Sequence, residues 1–252
     1  MGYSVYRARD RFTTTTSWLS SAHSFSFGDH YDPGNTHHGM LAVHNDEILR
    51  PGQGFDTHPH RETEIVTWVR SGSLVHQDSR GHSGIVYPGL AQRMSAGSGI
   101  EHSERNDTWT SGDGLRVEGA GRVDAGYVQM WVLPDEFGLD PGYDQADVGV
   151  ELAAGGLIPI ASGDPATDSA IRIANRSATL WVARLSRGRR VSLPRGRFTH
   201  LFVTEGVIGV GEESVGVGDA IRGIDMGGVE IVGTSDGAAE ALVWVMDKTV
   251  GE

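Results

Sequence analysis

Short apolar runs broken by glycine constrain this chain more than any other feature. Of its 252 residues 36 are glycine, valine and threonine recur in brief alternating stretches, and few segments keep a helical period. Side chains alternate across a strand, so period-two runs closed by turn residues read as half-buried strands. The pattern predicts an all-β chain with helix as a minor component. Strand-like runs lie at G-M-L-A-V (39–43), E-I-V-T-W-V (64–69), S-L-V-H (73–76), I-V-Y (85–87), L-A-Q-R-M (90–94) and Y-V-Q-M-W-V-L (127–133). A second set follows at T-L-W-V-A-R-L (179–185), F-T-H-L-F-V-T (198–204), V-I-G-V (207–210), V-E-I-V (229–232) and A-L-V-W-V-M (241–246). The stretch from Pro134 to Asp147, rich in Pro, Gly and Asp, reads as the connector between the two sets.

Two pairs of potential ligands stand out against this background, T-H-P-H-R (57–61) and I-E-H-S-E-R (100–105). Residues two apart on a strand share a face, so His58 with His60, and His102 with Glu104, can each aim both members at one point. Three imidazole nitrogens and one carboxylate suit a first-row divalent ion and leave it one net positive charge. An octahedral ion so held keeps two positions open. Gly52 and Gly54 precede the first pair, Glu64 follows it at the parity of the histidines, and turn signals at Y-P-G (87–89) and A-G-S-G-I (96–100) precede the second.

The segments G-F-D-T-H-P-H-R-E-T-E (54–64) and P-G-L-A-Q-R-M-S-A-G-S-G-I-E-H-S-E (88–104) resemble the two cupin motifs of the pirin family, in its bacterial quercetin 2,3-dioxygenase-like branch. The likeness extends through W-L-S-S-A-H-S-F-S-F-G-D-H-Y-D-P (18–33), H-Q-D-S (76–79) and Y-V-Q-M-W-V-L-P-D-E (127–136). It implies a bicupin, two antiparallel β-barrels of the double-stranded β-helix, RmlC-like jelly-roll type. Residues 1–135 would form an N-terminal metal-binding cupin, 136–147 the connector, and 148–252 a degenerate second cupin without metal. By resemblance the metal ligands fall on His58, His60, His102 and Glu104. The position of Glu64 ligates in many other cupins, which places Glu64 near the metal as a second choice. The ion is taken first as Fe(II), with nickel, cobalt, manganese, copper or zinc as alternatives.

The resemblance further implies oxidative ring opening of a flavonol such as quercetin, with dioxygen as co-substrate and carbon monoxide released. Glu104 would accept the 3-hydroxyl proton, with Glu64 as runner-up base. Gln92 and Met94, on one face of a strand, read as pocket lining, and His76 as a residue near the pocket. Two other readings compete: a non-enzymatic, metal-binding regulator or redox sensor of the pirin type, and a cupin isomerase that uses no dioxygen.

The remaining sequence narrows the field. Ten of eleven histidines lie at or before His102 and only His200 follows, so the second half cannot assemble an equivalent imidazole site. His200, inside F-T-H-L-F, reads as a core or edge histidine with a satisfied hydrogen bond, while His44 and His82 read as loop residues. A net charge of −12 works against nucleic-acid binding. The exception, Arg184, Arg187, Arg189 and Arg190, reads as a solvated hairpin edge. With no cysteine there are neither thiolate ligands nor a cysteine nucleophile. No nucleophile elbow, P-loop or H-E-x-x-H occurs. The charged start M-G-Y-S-V-Y-R-A-R-D and the lack of any run of eighteen apolar residues point to a cytoplasmic protein without membrane contact, monomeric or homodimeric.

Overall fold

The structure, a computed structural model, describes residues 2–108 and 119–252. The first half contains β1 (Gly2–Tyr6), β2 (Phe12–Thr15), β3 (Leu19–His23), β4 (Leu41–Leu49), β5 (Gly54–His60), β6 (Glu64–Ser71), β7 (Leu74–Asp78), β8 (Ser83–Val86), β9 (Leu90–Ser95), β10 (Ile100–Arg105), β11 (Ala125–Val132) and β12 (Gly142–Asp147). A short helix α1 (Gly149–Ala154) leads into β13 (Gly156–Ser162), β14 (Ile171–Arg172), β15 (Ala178–Leu185), β16 (Arg190–Ser192), β17 (Phe198–Glu205), β18 (Val207–Val210), β19 (Glu213–Gly216), β20 (Ala220–Ile224), β21 (Glu230–Gly233) and β22 (Ala239–Met246). The chain is all-β, as its alternating runs predict.

Among the described residues the strands form four sheets. A seven-stranded sheet β12-β9-β6-β11-β4-β3-β2 faces a four-stranded sheet β5-β10-β7-β8; the second half repeats the plan with β1-β20-β17-β22-β15-β13-β14 and β16-β21-β18-β19. Each half is therefore a jelly-roll sandwich of two separately hydrogen-bonded sheets, not the closed barrel expected from sequence. The segment 136–147, expected as a bare connector, contributes β12, which pairs with β9 through Gln145 opposite Gln92. The N-terminal β1 pairs with β20 in the second half.

The central strands of the seven-stranded sheets, such as β6, β11 and β22, are buried on both faces, because each large sheet packs against its own small sheet on one side and the other large sheet on the other. On β11, Val128, Met130 and Val132 join a core with Leu180, Phe202, Leu242 and Trp244 of the second half. Tyr127, Gln129 and Trp131 alternate with them and face the opposite way, into the first sandwich. This explains why the sequences of β6 and β11 read as near-continuous apolar runs. His44, expected in a loop, lies on β4 at 1 % exposure, its ring centroid 4.7 Å from that of His200. His200 is a core residue, yet neither ring nitrogen has a partner, because it meets Phe25 and His44 where the halves join. The arginine cluster is largely ion-paired: Arg184 reaches Glu240, Arg187 Asp236 and Arg190 Glu230.

Candidate metal centre

The central strand of the small sheet, β10, brings the two ligand pairs together. It pairs with β5, placing His102 opposite His58 and Ile100 opposite His60, and on its other side with β7, placing Glu104 opposite His76. The register of β5 slips between the partners of His102 and Glu104, so β5 bulges there and turns His58 toward the middle of the sandwich. The close approach needs glycine: a side chain at Gly54 would collide with the Glu104 carbonyl and the Arg105 backbone.

Two overlapping groups of donors result. His58, His60 and His102 place one ligand atom each within 4.8 Å of one another, and so do His76, His102 and Glu104. The ring centroids of the first triad are separated by 4.5–4.9 Å. Glu104 meets the triad through His102 and shares a cavity wall with His58 and His60. The residues suit a divalent ion. Among the described residues, Nε2 of His60 and Nε2 of His102 are buried without a hydrogen-bond partner, an arrangement that costs free energy unless a ligand completes it. His58 commits Nδ1 to the Asp56 carbonyl at 2.7 Å, which leaves its other nitrogen as the donor atom.

Burial favours the neutral form of His60 and His102. Burial, with His58 beside it, lowers His60 to about 4. Burial and the three neighbouring imidazoles lower His102 to about 2. A neutral ring is the form that binds a metal. Burial raises Glu104 to about 7, opposed by a 2.7 Å hydrogen bond from Gln129 Nε2 and reinforced by Glu47.

In front of His58, His60 and Glu104 lies a cavity of about 310 Å³ lined by Leu19, Phe27, Phe55 and Trp131, with Ser21, His23, Asn45, Glu47 and Gln129 among its polar members. Trp131 packs edge-on to His60 at 4.8 Å and to Phe27 at 5.8 Å. Gln129 couples wall to floor, accepting from Trp131 Nε1 at 3.0 Å while donating to Glu104. Glu47 is a second buried carboxylate, bonded by Ser21 Oγ at 2.8 Å and by the Tyr127 hydroxyl; burial raises its pKa. His23, Asn45, Glu47, Phe27 and Trp131 escape sequence reading. They arrive from strands and a loop remote in the chain, and only parity on β4 and β11 hints at a shared face.

Several sequence expectations are corrected by these positions. Glu64 does not face the triad: its carboxylate accepts from Ser95 Oγ at 2.8 Å and from the Ala174 N–H at 3.1 Å. It shares parity on β6 with Val66 and Trp68, which face the second half, because the chain reverses its faces in the turn at Glu62, where φ is 51°. Gln92 and Met94 do face inward but do not line the cavity: Met94 packs with Ile65, Ala96 and Ile100, and Gln92 lies opposite Thr67, one strand farther from Gln129. His76 is buried beside His102 and likewise contributes nothing to the cavity wall.

Comparison with known proteins places this arrangement. The family model described as Pirin matches residues 5–132. A Mycobacterium tuberculosis protein, provisionally named a quercetin 2,3-dioxygenase, is 50% identical over 249 residues, 98% of this chain and 96% of its own. The quercetin 2,3-dioxygenase of Escherichia coli K12 is 41% identical over 139 residues, 55% of each chain. Among solved structures, bacterial pirin YhhW from Escherichia coli in complex with nickel(II) superposes with a TM-score of 0.84 at 28% identity, over 98% of this chain and all of that one. The chain belongs to the pirin family.

Proposed function

We propose that the protein is a metal-dependent dioxygenase of the quercetinase type, with its chemistry confined to the first sandwich and none in the second. The observation that carries this reading is the convergence of His58, His60 and His102, two of them with orphaned Nε2 atoms, beside an aromatic-walled cavity that His58, His60 and Glu104 line. The three histidines hold the ion with Glu104 as fourth ligand; Fe(II) is the first choice, and nickel is favoured next by the nickel(II) complex of the Escherichia coli relative. A bound divalent ion supplies Lewis acidity that eases loss of the flavonol 3-hydroxyl proton, and with it access to dioxygen chemistry.

The protein's own groups account for the rest. Phe27, Phe55 and Trp131 form flat apolar walls suited to a planar polyphenol. Asn45 and Gln129 offer hydrogen bonds to its hydroxyls. Glu104, on the cavity wall beside the histidines, is placed to take the 3-hydroxyl proton, and the Gln129 amide fixes which carboxylate oxygen is occupied. Glu64, engaged by Ser95 and Ala174, takes no part. Opening of the heterocycle consumes one dioxygen and releases one carbon monoxide.

The test is to determine the metal by elemental analysis, then follow quercetin absorbance and oxygen uptake under air and under nitrogen. Stoichiometric loss of both in air alone is expected. Fully metallated protein that consumes neither would overturn the flavonol reading and leave a metal-binding regulator.

A further inference from the structure

Behind the triad, away from the cavity, lies a chain of polar contacts that ligation does not need. His102 Nδ1 faces His76 Nδ1 at 3.5 Å, the long end of hydrogen-bond contact. His76 Nε2 faces Asp78 Oδ2 at 3.3 Å, and Asp78 also faces His82 Nδ1 at 2.9 Å. The His76 and Asp78 side chains are 2 % and 0 % exposed, whereas His82, at 41 %, opens to solvent. Asp78 is held in place by the backbone N–H groups of Arg80 and His82, at 2.9 and 3.0 Å. Tyr143, from the strand expected as a connector, covers both rings, its centroid 4.8 Å from His76 and 5.5 Å from His82.

Protons can be placed along this chain in one order. An ionised carboxylate only accepts, so the nitrogen of His76 that faces Asp78, Nε2, carries the hydrogen. In a neutral ring the other nitrogen, Nδ1, is then an acceptor. The facing His102 Nδ1 is accordingly the donor, and its Nε2 is left bare. That is the nitrogen buried without a partner.

We infer that His76, anchored by Asp78, is a positioning residue that fixes the tautomer and ring orientation of His102, and is not itself a metal ligand. This rests on the metal reading above for its functional meaning. It also decides between the two donor groups that share His102: with Nδ1 committed to His76, His102 serves the triad with His58 and His60, and the group His76, His102 and Glu104 is not a separate site. Partners of this kind, behind a ligating histidine, change metal affinity by about 10–100-fold when removed.

The experiment compares His76→Phe with His76→Asn. Phenylalanine keeps the ring against Tyr143 and removes the acceptor; asparagine loses the ring but sets its amide oxygen near the place of Nδ1. Nickel(II) affinity by competition titration is expected to fall about 10–100-fold in the phenylalanine variant and to recover in large part in the asparagine variant. A purely packing role gives the opposite ranking and overturns the inference. Pulsed electron paramagnetic resonance of copper(II)-loaded protein is expected to count the same number of bound imidazoles in wild type and in His76→Asn; one fewer in the variant makes His76 a ligand and also overturns it. Two-bond nitrogen–proton spectra of histidine-labelled, metal-free protein separate this inference from the metal reading. They are expected to show His102 protonated at Nδ1 and His76 at Nε2; reversed tautomers sink the inference. Wild type that binds no nickel sinks the metal reading instead.

Discussion

The two halves share one frame and differ in what fills it. Each has a seven-stranded sheet facing a four-stranded one, and β22 occupies in the second the place that β11 has in the first. The inward residues of β11 are Tyr127, Gln129 and Trp131, whereas β22 turns Ala241, Val243 and Val245 into a core completed by Leu201, Val203, Ile208 and Ile231. Where the first half sets His102 and Glu104 on β10, the second has only Glu230–Gly233, with Ile231 in its core. The difference shows that the frame does not depend on the polar interior. Aliphatic filling supports the same sheets, so the orphaned imidazoles and buried carboxylates of the first half cost stability there, a cost that a bound ligand would offset.

The sharpest way to break this contrast is to empty the first half. His102→Ala, or His58→Ala, is expected to leave a folded protein that retains less than a tenth of the wild-type metal after dialysis, measured by elemental analysis. Stoichiometric metal in both variants would place the ion elsewhere. In the second half the corresponding blow falls on stability. Leu201, fully buried in the aliphatic core, is expected to cost about 2–5 kcal/mol when changed to alanine, read by chemical denaturation. Metal content should stay at the wild-type ratio in the protein that remains folded. A loss of metal equal to that of His102→Ala would mean that the halves are not functionally separate.

What the sequence disclosed follows from how far each inference had to reach. The convergence of the two candidate pairs is legible because parity within a strand is local, and β5 and β10 each hold a pair on one face. Glu64 was misread because the same parity was carried across the turn at Glu62. Gln92 and Met94 were given the right face but the wrong place across it; the sheet order, a long-range fact, sets Gln92 one strand beyond Thr67. His44 and His200 read as loop and satisfied core residues because nothing local tells that two large sheets meet over them. Strand periodicity gave the all-β class, whereas the exchange of edge strands, β1 to the second half and β12 to the first, leaves no local mark.

A smaller effect sharpens the contrast through pH. In metal-free protein Glu104 is raised from its ordinary 4.5 to about 7 by burial. Below about pH 4.5 the group is protonated folded and unfolded, and it imposes no penalty. As pH rises from 4.5 to 7 the unfolded chain has lost the proton while the folded one still holds it, so the folded state becomes relatively less stable across that window. A shift of this size corresponds to at most about 3 kcal/mol. The stability difference between wild type and Glu104→Gln should therefore change across pH 4.5–7 and level off above it. A flat difference, by urea denaturation of metal-free samples, would show that Glu104 is not desolvated. Changing Val243 in the second half should alter stability by the same amount at every pH.

The smallest predicted effect concerns what joins the halves. Trp68 on β6 donates its indole N–H to Glu240 Oε1 across the interface at 2.9 Å, and the same carboxylate accepts from Thr204 Oγ1 at 2.9 Å and Arg184 at 2.7 Å. Trp68→Phe keeps most of the apolar contact and removes one of three donors to a buried charge, an expected loss of about 1–3 kcal/mol. Because the large sheets share one core across the interface, the loss should appear as a lower midpoint of a single thermal transition, with both halves shifted together. Two resolved transitions, only one of them moved by the substitution, would mean that the halves fold as independent units. The shared core would then be a docking surface between them, and the polar interior of the first half would have to be stabilised without help from the aliphatic second.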